Sequence, residues 1–408
     1  MTHAMRVMRA QYFLTYAVMG CVLPYLPVFL RARGMQQTQV GYLFAISGVA
    51  VLLAPVLVTL LADTHTDARS LMAAALLLAG ASLVGLALSH EIVPLLGWYA
   101  LHALAMTPLM PLQDGLLFAV QERRRREAGA EPMPFHRVRV WGTVGFIVPS
   151  AALFWMLRAG VRVDVTLVCG AICATLAALW ARLLVPGAGP RAVVDPRDNR
   201  LPTLAALRVL TKPDALAFCA ATFLLGVATA SYYAFYPIYL TEVVGVDAQW
   251  VGLIANVGVV IEIFFMLAFG ALLRVLGLKW LVVTCIGATA ARFALLAGVP
   301  GVASAIATQA LHGMMVLMVA VIPPLFLDRR AAPRFRHSMQ GLYAMLVLGL
   351  ARTVGSLLAG PVAQRSVTLL FWVAAAICAA AALTVAIAFR DSPARAEASA
   401  ALEAEVML

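Results

Sequence analysis

Runs of about 20 apolar residues recur along the whole chain, and that is the length a helix needs to cross the hydrocarbon core of a bilayer. They fall near residues 9–30, 38–62, 69–89, 92–120, 137–158 and 164–185, then near 214–241, 247–273, 278–298, 300–327, 337–362 and 366–389. The chain is 63% hydrophobic and 12% charged, with mean hydropathy +0.93, whereas soluble domains are about 25% charged. An all-α integral membrane protein of twelve transmembrane helices is expected. Six cysteines (Cys21, Cys169, Cys173, Cys219, Cys285, Cys378) lie inside these runs without metal-ligand spacing to histidine. They read as small buried apolar residues, and no metal or cofactor is expected. The first run is longer than a signal h-region and lacks a small-residue cleavage site, so it is expected to remain as the first span.

The formal net charge is +11, but the basic residues sit in short loops between spans, where they set topology and do not suggest nucleic acid. With a cytoplasmic N-terminus, the cytoplasmic side holds Arg6, Arg9, Arg69, Arg123 to Arg126, Arg137, Arg139, Arg274, Lys279, Arg329, Arg330, Arg334 and Arg336. The other side holds Arg31, Arg33, Arg158, Arg162 and Arg365. That bias predicts a multi-pass protein of the cell membrane, the cytoplasmic or inner membrane of a bacterium, with both termini cytoplasmic.

One polar, proline-rich interruption divides the chain evenly. The expected organisation is an N-terminal half (1–185), a linker (186–213), a C-terminal half (214–389) and a tail (390–408). The halves repeat: Pro27-Val28-Phe29-Leu30 through Gly34 and Val40-Gly41 recurs as Pro237-Ile238-Tyr239-Leu240 through Gly245 and Val251-Gly252. Parallel six-span repeats with a binding site at the midplane are the plan of the major facilitator superfamily. A fold of two pseudo-symmetric six-helix halves closing on a shared cavity is therefore expected.

Charge inside the spans is the anomaly, because a charged side chain at a bilayer centre costs roughly 2.5–3.5 kcal/mol on insertion scales. Glu262 lies about 15 residues into its span, some 20 Å deep at 1.5 Å per residue. Arg292 enters from the opposite side on the next span, and Gln309 and His312 share one helix face at i and i+3. Asn256 and Arg352 add polar groups to the same half. A solute or proton site is the default reading, with a purely structural Glu262–Arg292 pair as its alternative. In the N-terminal half Asp114 is placed to pair with Arg137 or Arg139, whose planar fork suits a carboxylate. A topology signal with a snorkelling arginine is the alternative there. Asp63, Arg137 and Arg274 lie at loop ends where they would gate the cavity, while His102 reads as a packed, hydrogen-bonded residue.

Phe135-His136-Arg137-Val138-Arg139-Val140-Trp141-Gly142, Gly258 to Glu262, Ala291-Arg292 and Gln309-Ala310-Leu311-His312-Gly313 resemble matching positions of the lactose permease and phenylpropionate permease branches of that superfamily. The resemblance is collinear over nearly the whole chain. It implies substrate contacts at Asp114 and Arg139 and proton coupling through Glu262, Arg292 and His312. Met315 stands where the lactose permease carries a carboxylate, which moves the resemblance towards the phenylpropionate branch and implies that Glu262 takes the proton or that no proton is used. The superfamily loop signature is worn to Asp63, Asp67 and Arg69 after the second span, and better kept as Gly270, Arg274, Gly277 and Lys279.

The expectation is a proton-coupled symporter, working as a monomer by alternating access. Its solute would be a small organic molecule: an aromatic or other carboxylate, a sugar or a nucleoside. Substrate contacts are expected at Asp114, Arg139, Asn256, Arg292, Gln309 and Arg352, and Glu262, Arg292 and His312 are expected to face one cavity between the halves. A facilitator or drug efflux carrier is the alternative on the same fold. The chain offers no H-E-x-x-H or G-x-S-x-G for an enzyme, and its short tail offers no output domain for a sensor.

Overall fold

The computed structural model describes residues 3–63, 67–128, 133–186, 207, 209–328, 330 and 336–389. Linker residues 187–206 and 208, the tail 390–408 and the side chain of Asp63 lie outside the described residues. Every regular element among the described residues is helical. The N-terminal part contains α1 (His3–Val22), α2 (Leu26–Ala32), α3 (Gln37–Asp63), α4 (Ala68–Leu88), α5 (Ile92–Met106), α6 (Leu109–Ala128), α7 (Phe135–Arg158) and α8 (Val165–Leu183). The remainder contains α9 (Pro213–Ile238), α10 (Ala248–Gly298), α11 (Val302–Ala307), α12 (His312–Val316), α13 (Ile322–Asp328), α14 (Arg336–Tyr343), α15 (Leu350–Arg365) and α16 (Val367–Ala388). Among the described residues ten continuous helical stretches are long and apolar enough to cross a membrane, and α3 is apolar over Gln37–Leu53. The chain is a multi-pass membrane protein.

Prolines account for several interruptions, because each removes a backbone donor and crowds the preceding turn. α1 and α2 are parted at Leu23–Tyr25 around Pro24, with a proline in the first turn of α2. α5 and α6 are parted at Thr107–Pro108. A wide π-helical turn, Tyr239–Val243, follows Pro237, and another, Leu317–Val321, precedes Pro323. A third covers Ala344–Gly349. Lipid cannot satisfy freed carbonyls, so local π and 3-10 adjustments take that role within spans.

Glycines set the other breaks. Gly34 and Gly245, equivalent positions of the repeated motif, have φ of 80° and 77°. Both end a helical segment in the left-handed region that glycine reaches without steric cost. Sequence patterning separates two spans between 273 and 278. The structure runs them together as α10, with Gly277 alone outside helical geometry at φ 68°, ψ 165°, a region essentially reserved for glycine. The glycine of the loop signature is thus explained by backbone conformation.

The chain forms two compact units, one of Met1–Asp195 with Val246–Asn256, the other of Pro196–Gly245 with Val257–Leu408. Within the first, α1 and α7 touch backbone to backbone. A methyl group at Gly20 would lie 2.2 Å from the carbonyl oxygen of Phe146, and one at Gly145 would lie 2.1 Å from that of Phe13. Small residues allow this approach, which replaces the hydrophobic drive that lipid cannot supply between helices. In the second unit a methyl at Gly355 of α15 would lie 2.5 Å from the carbonyl oxygen of Val227 on α9. At one end of the first unit Met5 and Met8 of α1 pack with Leu116 and Val120 of α6, Val138 of α7 and Ala181 of α8. Beyond α2, Arg33 donates to Ala87 O at 2.5 Å and pairs with Asp164 at 3.3 Å, tying the ends of α4 and α8 together. All six cysteines are free thiols.

Candidate functional site

In the second unit the polar groups converge on Arg292. Its side chain is fully buried, yet it extends from a helix whose neighbouring residues are apolar. One terminal nitrogen donates to Tyr232 Oη at 2.7 Å and to Gln309 Oε1 at 2.8 Å; the other lies 2.7 Å from His312 Nδ1 and 3.9 Å from Met315 Sδ. Because guanidinium only donates, His312 Nδ1 must accept, which leaves the ring proton on Nε2. The guanidinium carbon also sits 4.1 Å from the centre of the Tyr232 ring, within cation–π range. Gln309 in turn donates to Tyr236 Oη at 2.7 Å, and Tyr236 donates to Ala305 O at 2.9 Å.

Local structure explains why these atoms meet. Gln309 lies in a 3-10 turn, Thr308–Leu311, between α11 and α12. Gly258 of α10 leaves it room, since a methyl there would lie 2.4 Å from Gln309 Oε1 and 3.0 Å from the His312 ring. Two turns on, Phe265 packs where a methyl on Gly313 would lie 2.3 Å from its ring. Glu262 stands between these two contacts, on the same face of α10 as Gly258 at i+4. The hydrogen bonds of Arg292 run to Tyr232, Gln309 and His312. Glu262 and Arg352 lie close enough to act electrostatically on Tyr233, as does Arg292.

In the first unit Tyr12 donates to Asp114 Oδ1 at 2.5 Å. The Arg139 guanidinium lies 4.2 Å from the centre of the Tyr16 ring. Asp114 lies within electrostatic reach of Arg139, its hydrogen bond comes from Tyr12, and Arg139 itself rests on the Tyr16 ring. Gly142 permits this, because a methyl there would lie 2.8 Å from the Tyr16 ring and 2.9 Å from an Arg139 nitrogen.

Arg292, Gln309 and His312 are therefore brought together, with Glu262 one turn from their contact with Gly258. Asn256 falls in the other unit, where it donates to Ile147 O at 3.2 Å. Arg137 is exposed in the first turn of α7, and Arg274 is exposed within α10, three residues before Gly277. His102 is buried with Nδ1 3.2 Å from Ala79 O, a bond that joins α5 to α4. Tyr12, Tyr16, Tyr232 and Tyr236 are the contacts of these polar groups that charge counting passes over. Their signal is a pair of tyrosines at i and i+4 in α1 and again in α9, a spacing that puts both rings on one helix face.

Residues 5–374 match the MFS_1 like family. The chain belongs to that family. Two Escherichia coli (strain K12) proteins are similar to it. One carries the name "Putative nucleoside transporter YegT" and is 26% identical over 86% of this chain and 83% of its own length. The other, "Probable 3-phenylpropionic acid transporter", is 25% identical over 90% of this chain and 92% of its own. The crystal structure of the nucleoside transporter NupG is similar in fold, with a TM-score of 0.79 at 19% identity, over 96% of this chain and 100% of that one. An auto-inhibited POT family peptide transporter follows at TM-score 0.69 and 14% identity, covering 96% and 98%. The family resemblance read from the sequence stands, and these relatives and neighbours are transporters.

Proposed function

We propose that the protein is a proton-coupled symporter of a small, ring-bearing organic solute, working by alternating access without catalytic chemistry of its own. The observation that carries this reading is the Arg292 cluster: a fully buried cation held by Tyr232, Gln309 and His312 inside apolar helices. A chain retains such a charge in a membrane where it serves solute or ion movement. The relatives named above, for nucleosides and 3-phenylpropionic acid, share a planar ring in their solutes, and the tyrosines around Arg292 and Arg139 suit a ring. In this reading the chain crosses the bilayer twelve times: ten candidate stretches, α3 as an eleventh, and a twelfth from dividing α10 at Gly277. Two six-helix halves result, with both termini cytoplasmic and the monomer as working unit.

Asp114, Arg139, Asn256, Arg292, Gln309 and Arg352 are assigned to solute, with Asp63, Arg137 and Arg274 to gating. Glu262 takes the proton, and Arg292 and His312 report its state to the solute. A carboxylate stripped of water holds its proton tightly, and an approaching guanidinium loosens it. Small displacements of Arg292 can therefore load and release a proton. Purified protein in liposomes should accumulate 3-phenylpropionate or uridine only with an inward proton gradient. Glu262→Gln should abolish that accumulation while preserving exchange across equilibrated membranes. Gradient-driven accumulation by the Gln variant would remove Glu262 from the coupling step, and equal uptake by wild type with and without a gradient would make the protein a facilitator.

A further inference from the structure

A second group of side chains lies on the same faces of α6 and α7 as the Asp114 and Arg139 site, one turn further along. Phe118 is at i+4 from Asp114, with Gln121 and Arg125 at i+7 and i+11, so all four line one stripe of α6. Phe135 stands at i−4 from Arg139 on α7. The two phenylalanine rings meet at 5.6 Å between centres and 22° between planes. Both are open, Phe118 at 56% and Phe135 at 37% exposure. A helix stripe that carries Asp, Gln and Arg is not one that faces lipid, so these open rings border a wet space. Beside them is a cavity of about 440 Å³ lined by Phe118, Gln121, Glu122, Arg125, Met133 and Pro134. That volume lies within the roughly 300–1,000 Å³ of small-molecule sites.

The cavity's own lining carries one acid and one base, Glu122 and Arg125, and the run Arg123 to Arg126 makes this end of α6 net cationic. Glu122 accepts from Arg126 at 2.7 Å and lies 3.5 Å from Arg125, while Arg123 and Arg124 extend the same run. Met133 is held in place by Arg9 at 3.3 Å. The first turns of α1 pack at this end of the unit, which makes it the cytoplasmic end under the topology proposed above.

We propose that the Phe118–Phe135 stack and its cavity form a second, cytoplasmic binding site for the planar ring of the transported solute. The site holds an anionic ring more strongly than a neutral one. It rests on the reading of Asp114 and Arg139 as solute contacts. A solute leaving them moves about 6 Å, one helical turn at 1.5 Å per residue, to stack against the phenylalanines before it is released. Stacking on an aromatic ring changes the affinity of a base by roughly fivefold to a hundredfold.

Transport measured in inside-out and right-side-out vesicles separates the two faces. With 3-phenylpropionate and uridine as probes, a Phe118→Leu/Phe135→Leu double variant should raise KM about tenfold from the cytoplasmic face, with a shift under twofold from the external face. Phe118→Trp should restore most of the loss, because it returns a π-face and not merely volume. Arg125→Gln should raise cytoplasmic KM for 3-phenylpropionate and leave that for uridine unchanged. A double leucine variant with wild-type KM at the cytoplasmic face, or with equal shifts at both faces, overturns the second site while the transport reading stands. Failure of wild type to move either probe would overturn both.

Discussion

At the scale of single residues, the two units solve one problem alike: an ionic side chain inside the bilayer is held by tyrosine hydroxyls and rings. Tyr12 binds Asp114 and Tyr16 stacks under Arg139, while Tyr232 binds Arg292 and Tyr236 secures Gln309. Neutral donors and acceptors stabilise a charge without cancelling it, which under the proposed function keeps it available to a solute. Removing the guanidinium should therefore be severe. Arg292→Gln loses the bonds to Tyr232 and His312, each of the charged kind worth about 1.5–3 kcal/mol, and transport should fall by roughly a hundredfold at unchanged surface expression. Arg292→Lys should not restore it, since a point ammonium cannot span two acceptors with a fixed fork. Near-normal transport by the lysine variant would show that charge alone matters at this position. Tyr12→Phe should weaken solute binding about tenfold, from one bond to a charged acceptor. Unchanged affinity would mean that Tyr12 only packs.

At the scale of elements, glycine decides how closely helices approach and where they break. Gly20 and Gly145 bring α1 and α7 into mutual contact, each against the other helix's backbone. Gly145→Ala forces a methyl into a carbonyl oxygen that cannot rotate away. Overpacking of this kind costs about 1–3 kcal/mol, so the melting temperature in detergent should fall by several degrees, with both helices forced apart. Gly270→Ala is the matched control, because no atom lies within 4 Å of a methyl there. Gly277→Ala tests conformation instead of space: nothing lies near a methyl, but the φ of 68° is unfavourable for any other residue. A cost of roughly 1–3 kcal/mol follows, again read from thermal stability. Equal melting of all three variants would remove the case for both glycines.

At the scale of the whole molecule, the basic residues should fix orientation. In a cysteine-free background, Arg124→Cys should react with a membrane-impermeant thiol reagent only after the cell is opened. Arg162→Cys should react in intact cells. The reverse labelling pattern would invert the topology and move the Phe118–Phe135 site to the external face. The proposed exchange of conformations then depends on compliant points in the spans, and the π-helical turns at Tyr239–Val243, Leu317–Val321 and Ala344–Gly349 are candidates.

The apolar runs, the short basic loops and the repeated Pro27 and Pro237 motifs determined the membrane class and the family from sequence alone. Hydropathy is a property of each residue added along the chain, and the bilayer reads that sum directly. The residues Arg292, Gln309 and His312 were also legible there, because a polar group in an apolar run stands out without reference to its neighbours. Which atoms they bond was not. Arg292 reaches Gln309 and His312 because Gly258 lets the 3-10 turn at Thr308–Leu311 come close, and Asp114 meets Tyr12 because α1 packs on α6, with Tyr12 in one core with Leu116 and Leu117. A hydrogen bond depends on the rotation of each helix about its axis to within tens of degrees and on separations to within about 1 Å. Those quantities are set by packing between residues distant in sequence, and only the tertiary structure decided them.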